Sequence, residues 1–390
     1  MSLTMTWSFP PVATPRLLDE ATNTYTQYYS NSRHDSFINS IPKVNGKILR
    51  EIEISDKSVS NLEIRVILTD GKDYFLDTIS EIICFNLEGK IKWRRSKWYG
   101  SQVVLNNKLL FYQSEARKDD MEAVDYQNNV VISKYPISGV IDESQIILFQ
   151  PDTNGLIAQI YYSDIVDTSV PEYLIFQAIR KSLGFIWHKR YYNQICPSLP
   201  LVNYEKGFVL TFSPTQGQIF ILGKKSDEAD PNYSFDLPKE YNSVFASSSK
   251  EGDIYLAYTS KHFVNLKCLS LDGKEKYSVE AADDFVDARP VLCPPVLTQD
   301  GFIFILTNNK VFCIKDKKLI WSKFIRDISF ATAFADNSVI IAAANKLIRL
   351  DAKGNELLNY EAEGKISAPP VLDDQGRLMF STKTTVYLME

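Results

Sequence analysis

Five cysteines, three histidines and three short stretches rich in cations and aromatic rings are the parts of this 390-residue chain that could do chemistry. The cysteines, Cys84, Cys196, Cys268, Cys293 and Cys313, form no C-x-x-C, no C-x-x-C-H and no adjacent pair. Zinc sites, redox pairs and haem attachment need such spacings, because two sulfurs must reach one point. His34, His188 and His262 stand singly, without the H-E-x-x-H spacing that sets two imidazoles on one helix face. The acidic run "DDFVD" (Asp283, Asp284, Asp287) lacks the D-x-D-x-D-G order of a calcium loop and reads as a solvated loop. No G-x-S-x-G elbow and no Walker loop occurs. No catalytic residue, metal or cofactor is therefore assigned.

The mixed stretches are "WRRSKWYGS" from Trp93, "WHKRYYNQ" from Trp187 and "WSKFIRDIS" from Trp321. They offer Arg94, Arg95, Lys97, Trp98 and Tyr99, then His188, Lys189, Arg190, Tyr191 and Tyr192, then Lys323 and Arg326, with Arg289 in a corresponding acidic loop. Arginine and aromatic side chains dominate binding hot spots, so a rim built from these residues could grip a peptide or an anionic ligand. The plainer alternative is a solvated rim whose long side chains pack on their own scaffold. Which holds depends on the elements that carry them.

Those elements repeat. "CPPVLTQDGFIFIL" at Cys293 returns as "APPVLDDQGRLMFS" at Ala368, with a weaker copy, "FATAFADNSVIIAA", at Phe330 between them. Each copy leads into a second motif: "NKVFCIKDKKLIW" at Asn309, "NKLIRLDAKGNELL" at Asn345 and "TTVYLME" at Thr384. Alternating apolar runs punctuated by Asn, Asp and Gly predict four short antiparallel strands per unit. Four strands about every 40 residues is the signature of a β-propeller. Third strands are expected near Phe37, Cys84, Ala123, Phe176, Phe220, Lys267, Cys313, Ile348 and Tyr387. The expectation is thus an all-β single domain over residues 1–390, a propeller of eight or nine four-stranded antiparallel blades. The N-terminal "TWSF" and the C-terminal "TTVYLME" would close it as strands of one blade. The unit holding Phe176 is overlong, and "PDTNGLIAQIYYSDIVDTSVPEY" is expected to add a hairpin or a long loop.

Within the repeat, Cys84, Cys268 and Cys313 share one slot with Ile41, Ala123, Ala178, Leu222, Arg349 and Leu388. That slot takes small or apolar side chains, so its thiols read as small hydrophobes. Arg349 is the exception, expected to reach solvent or pair with an acid. Trp93, Trp187 and Trp321, with Tyr277 equivalent, are expected to pack between neighbouring blades, where such rings bury large areas.

The stretches "ICFNLEGKIKW", "KCLSLDGKEKY" and "IRLDAKGNELL" resemble the PQQ-like repeat, V-x-A-L-D-x-x-x-G-x-x-x-W. The resemblance covers nearly the whole chain and implies a propeller of the quinoprotein alcohol dehydrogenase type, a family that also holds non-enzymatic scaffolds. The dehydrogenases use an adjacent-cysteine disulfide beside the cofactor; its absence here points to the scaffold branch. A non-catalytic scaffold engaging a protein, peptide or glycan through one face is the expectation. The alternative is a propeller enzyme, a PQQ-dependent dehydrogenase or a hydrolase, whose site is assembled from distant blades.

The formal charge of −5 gives no basic excess for a nucleic-acid binder. No run approaches the roughly 18 apolar residues of a membrane helix. The start, "MSLTMTWSFPP", has no basic region followed by an apolar run. A periplasmic or cell-surface address is expected if a signal peptide stood upstream. The oligomeric state is left open.

Overall fold

β-Branched and aromatic runs broken by turn residues form the short strands that their pattern predicts. The computed structural model describes residues 37–38, 40–54, 64–70, 73–97, 103–106, 109–115, 120–136, 144–151, 156–163, 173–180, 184–192, 201–203, 206–212, 215–221, 231–239, 241, 244–260, 262–282, 291–373 and 375–390. Two strands come first, β1 (Phe37–Ile38) and β2 (Ile48–Glu53). The rest fall into eight sheets in chain order. Sheet 1 holds β3 (Ile64–Thr69), β4 (Tyr74–Thr78), β5 (Glu81–Phe85) and β6 (Ile91–Ser96). Sheet 2 holds β7 (Val104–Asn106), β8 (Leu109–Gln113), β9 (Asp120–Asp125) and β10 (Val130–Pro136). Sheet 3 holds β11 (Ser144–Pro151), β12 (Leu156–Ser163), β13 (Tyr173–Arg180) and β14 (Gly184–Tyr192). Sheet 4 holds β15 (Leu201–Asn203), β16 (Phe208–Phe212), β17 (Gln216–Ile221) and β18 (Tyr233–Asp236). Sheet 5 holds β19 (Val244–Ser248), β20 (Ile254–Ser260), β21 (Phe263–Leu269) and β22 (Glu275–Ala282). Sheet 6 holds β23 (Val296–Leu297), β24 (Ile303–Leu306), β25 (Lys310–Lys315) and β26 (Lys318–Phe324). Sheet 7 holds β27 (Ile328–Phe334), β28 (Val339–Ala343), β29 (Lys346–Leu350) and β30 (Glu356–Glu361). Sheet 8 holds β31 (Val371–Leu372), β32 (Leu378–Ser381) and β33 (Thr385–Met389), and its fourth strand is β2. Among the described residues no helix is long and apolar enough to cross a membrane.

Three sequence expectations are corrected. The segment around Phe37 is no third strand: β1 lies parallel on the edge of β27, with Phe37 opposite Ala333 and Ile38 opposite Phe334. Ile41, placed in the small-residue slot, is instead exposed on the run between β1 and β2. The position beside β33 given to "TWSF" is filled by β2; "TWSF" itself lies outside the described residues. The misreading has a physical source. "VNGKIL" is a good turn followed by a strand, but Ile52 and Ile54 turn inward against sheets 8 and 1 instead of opening a new unit. Among the described residues the overlong unit shows no extra hairpin. Its supposed insertion contains β12, the ordinary second strand of sheet 3, and the remainder of that stretch, 152–155 and 164–172, lies outside the described residues.

One cross-section recurs. Phe75, Cys84 and Trp93 lie side by side across sheet 1, as do Phe304, Cys313 and Trp321 across sheet 6 and Tyr255, Cys268 and Tyr277 across sheet 5. A small central side chain leaves room for the rings on either side, with centroids 6.0 Å apart for Phe75–Trp93 and Phe304–Trp321. Directly after the central residue the register slips by one, a β-bulge present at this point in sheets 1, 3, 5, 6 and 7. The bulge aims the tryptophan at the next sheet. Trp93 Nε1 donates to the Tyr126 carbonyl of sheet 2 at 3.0 Å, and Trp321 Nε1 to the Ala352 carbonyl of sheet 7 at 3.0 Å. The inter-sheet packing expected of these two tryptophans is what is found. The motif's glycine has its own reason: Gly354 turns at φ +83, and a Cβ there would meet the Trp321 ring at 3.1 Å.

The buried residues join consecutive sheets. One cluster links sheets 4 and 5, another 5 and 6, a third 6 and 7. The largest runs through sheets 7 and 8 and on into sheets 1 and 2, so the last sheet packs on the first.

Candidate functional site

The outer strands carry the residues singled out above. Arg94 and Arg95 lie within β6, not on a loop leaving it. Neighbours on a strand point to opposite faces, so the two arginines reach opposite neighbours. Arg94 donates to Glu81 Oε2 at 3.2 Å and to the Ile54 carbonyl, beyond β2, at 3.3 Å. Arg95 turns to sheet 2, donating to the Asn129 side chain and carbonyl, each at 2.6 Å, and to Tyr112 Oη at 3.4 Å. These arginines therefore tie sheet 1 to both its neighbours.

Beyond them Lys97, expected with them on the rim, belongs instead to a buried cluster. Lys97 is 1% exposed and its Nζ stands 3.0 Å from Asp77 Oδ1, itself 2% exposed. Burial pulls the Lys97 ammonium below its usual range, while Asp77 pulls the other way. The backbone N–H of Val103 points at Asp77 Oδ2 from 3.4 Å. One carboxylate thus holds the chain on both sides of the stretch that carries Trp98 and Tyr99. Those two residues lie outside the described ones. Beside this pair, Glu122 accepts from Tyr112 Oη at 2.7 Å and Ser114 Oγ at 3.2 Å, and pairs with Lys134 at 2.9 Å. Burial raises the Glu122 carboxyl, but the bonds from Tyr112, Lys134 and Ser114 together outweigh it and leave it below the usual range.

The repeat held the clue to Lys97. Its N–H bonds the carbonyl just before the third strand, as do those of Ile54, Ile325 and Ala362 in sheets 8, 6 and 7. Those three are buried and apolar, so a lysine in that column breaks the rule and needs a partner.

The other expected site residues are spread. His188, Arg190, Tyr191 and Tyr192 lie on β14 of sheet 3, opposite Gln177, Ile175, Leu174 and Tyr173. Arg326 is exposed just past β26 of sheet 6, and Arg289 lies outside the described residues. The stretches expected to leave the fourth strands as loops are largely those strands themselves.

Arg349 pairs with an acid, as expected of it. Its Nη2 meets Asp336 at 2.5 Å, Nε donates to Ser338 Oγ at 3.0 Å, and Nη1 to the Pro42 carbonyl at 3.3 Å. It pins the run from β1 to β2 onto sheet 7. The cysteines are structural: Cys84, Cys268, Cys293 and Cys313 are buried and free. Burial pushes Cys84, Cys293 and Cys313 up to about 12 and Cys268 to about 11. Thiolates are the reactive species, so iodoacetamide at pH 8 should leave these four unmodified in native protein and label them all in denaturant, by peptide mass mapping. Rapid native labelling of any of the four would refute their placement.

No protein-family model matches the chain, and no curated protein does. Among solved structures, Kluyveromyces lactis Hsv2 with its complete loop 6CD superposes with a TM-score of 0.52 at 9% identity, over 77% of this chain and 99% of that one. Hsv2 with loop 6CD replaced by a Gly-Ser linker gives 0.52 at 9% identity, over 84% and 98%. The fold is propeller-like. At such identity the likeness concerns fold alone.

Proposed function

We propose that the chain is an eight-bladed propeller, closed by β2 on β33, that serves as a non-catalytic scaffold for a protein, peptide or glycan. On this reading the PQQ-like repeat is its architecture and quinone chemistry is not its task. The observation that carries the reading is the Asp77 anchor. A buried ammonium–carboxylate pair costs several kcal/mol to desolvate, and here it braces the two ends of a five-residue stretch holding Trp98 and Tyr99. Bracing a short aromatic stretch reduces the ordering cost of binding through it. Arg94 and Arg95 fix the strand from which it springs.

The test is capture of partners by immobilised full-length chain, and binding on a glycan array, compared with a Trp98→Ala/Tyr99→Ala variant. Loss of a specific partner in the variant, with its melting temperature kept, is expected. Unchanged capture would remove this stretch from the interface.

A further inference from the structure

We propose that the outer edge of β26 accepts an acidic, extended peptide as an added strand. This goes beyond the reading above, because it concerns the rim of sheet 6 and not the stretch braced by Asp77.

Three observations converge on β26. First, it is the last strand of its sheet, so among the described residues its outer backbone groups face no further strand. An edge of this kind is a template for another chain, and native edges are commonly guarded by charge. Second, this edge is unusually apolar. Leu319, Ile320 and Phe324 are 41%, 50% and 53% exposed, three of the eight large exposed hydrophobics among the described residues. Ile320 is the bulge residue, between the pairs Cys313–Trp321 and Ile314–Leu319. The corresponding bulge residues of β6 and β22 are Lys92 and Lys276, each paired with an aspartate of its own sheet, Asp73 and Asp253, whereas β14 and β30 carry Ile186 and Leu357 there. What sets β26 apart is that Ile320 is joined by Leu319 and Phe324, three exposed apolar side chains on one outer strand.

Third, charge collects here. Residues 315–327 hold five cations, Lys315, Lys317, Lys318, Lys323 and Arg326, against two acids, Asp316 and Asp327, in a chain of net charge −5. The turn between β25 and β26 is short, with Asp316 and Lys317 both at positive φ (50° and 65°). It sets Lys315 directly across from Lys318, like charges whose opposition costs stability. Lys315 and Lys317 lie over the rings of Phe302 and Tyr277, at 4.0 and 5.5 Å. Lys318 and Arg326 have no carboxylate partner among the described residues, and Lys323 has only a long contact, 3.7 Å, with Glu356. The cations of β6, by contrast, are all engaged.

These features select the occupant. A lipid surface would meet the apolar side chains but leave the strand's backbone groups unpaired in hydrocarbon, which membranes do not tolerate. A second copy adding its own β26 would set lysines against lysines. An extended peptide with alternating acidic and apolar residues satisfies the backbone, the apolar side chains and the charge together. A peptide matching the seven residues of β26, about 23 Å, would fill the edge.

The test is fluorescence anisotropy of the full-length chain with a labelled seven-residue peptide alternating glutamate and valine. The comparison probes are its lysine counterpart, a copy N-methylated at alternate amides, and phosphatidylserine vesicles. Saturable binding that weakens with salt, is lost on N-methylation and falls about tenfold or more in Lys318→Glu/Lys323→Glu is expected. Ile320→Asp should weaken it similarly; Lys318 and Ile320 are exposed, so Lys318→Glu and Ile320→Asp should each keep the parent's melting temperature. Trp98→Ala/Tyr99→Ala should bind the peptide as the parent does, which keeps this result separate from the fate of the proposed scaffold face. No saturable binding, equal binding of the lysine or N-methylated peptide, or loss only in the Trp98→Ala/Tyr99→Ala variant would overturn the proposal. So would vesicle binding that depends on Ile320 while the peptide fails to bind.

Discussion

Lys97→Ile alone should lower the unfolding free energy by about 3–5 kcal/mol, because it strands the Asp77 carboxylate in a site 2% exposed. The same change made together with Asp77→Leu should recover most of that loss. The reason lies in sheet 6. There the equivalent positions are Leu306 and Ile325, both buried, so the double variant copies a pair that the fold already uses. Replacing a buried ion pair with packed apolar residues is often neutral or stabilising by about 1–4 kcal/mol. Guanidinium denaturation of the parent, the single and the double variant measures all three. A single variant as stable as the parent would show that Lys97 is not buried against Asp77. A double variant no better than the single would show that the two columns are not equivalent. If the double variant folds but loses a captured partner, the ion pair serves to brace the Trp98–Tyr99 stretch rather than to stabilise the sheet.

The second large effect is at Trp321. Its ring packs on Gly354, lies beside Phe304 and donates to the Ala352 carbonyl, so it spans the seam between sheets 6 and 7. Trp321→Ala should cost about 3 kcal/mol, the low end for a buried aromatic, since this one is only half-buried. Trp321→Phe keeps most of the ring area and forfeits the hydrogen bond, and should cost about 1 kcal/mol. Equal losses for the two variants would mean that the carbonyl contact, not the ring, holds the seam.

How much of this was readable beforehand follows from where the information sits. Turns and strand alternation are local. "NKLIRLDAKGNELL" therefore shows β29, the turn at Gly354 and β30 almost residue by residue. The small slot filled by Cys84, Cys268 and Cys313 could be read in the same way, because each repeat writes it in register. The segment from Ser36 to Leu49 misled because a strand is a strand locally: β2 has the alternation of any other. Only its pairing with a strand more than 300 residues away makes it the fourth member of sheet 8. The candidate site suffered from the same limit. Arg94 and Arg95 were visible as cations, but their partners Ile54 and Asn129 belong to the flanking sheets. Lys97 looked like one more lysine until its column, with Ile54, Ile325 and Ala362, marked it as a charge in an apolar place.

The proposed ring is fastened where β2 pairs with β33. Glu53 faces Thr385 across that ladder, and facing residues on antiparallel strands lie about 4.5–5.5 Å apart, within disulfide range. A Glu53→Cys/Thr385→Cys variant, oxidised mildly and mapped by peptide mass, tests the fastening directly. A near-complete intramolecular disulfide between these positions and a raised melting temperature are expected. Thiols that stay free, or that link only between molecules, would contradict it.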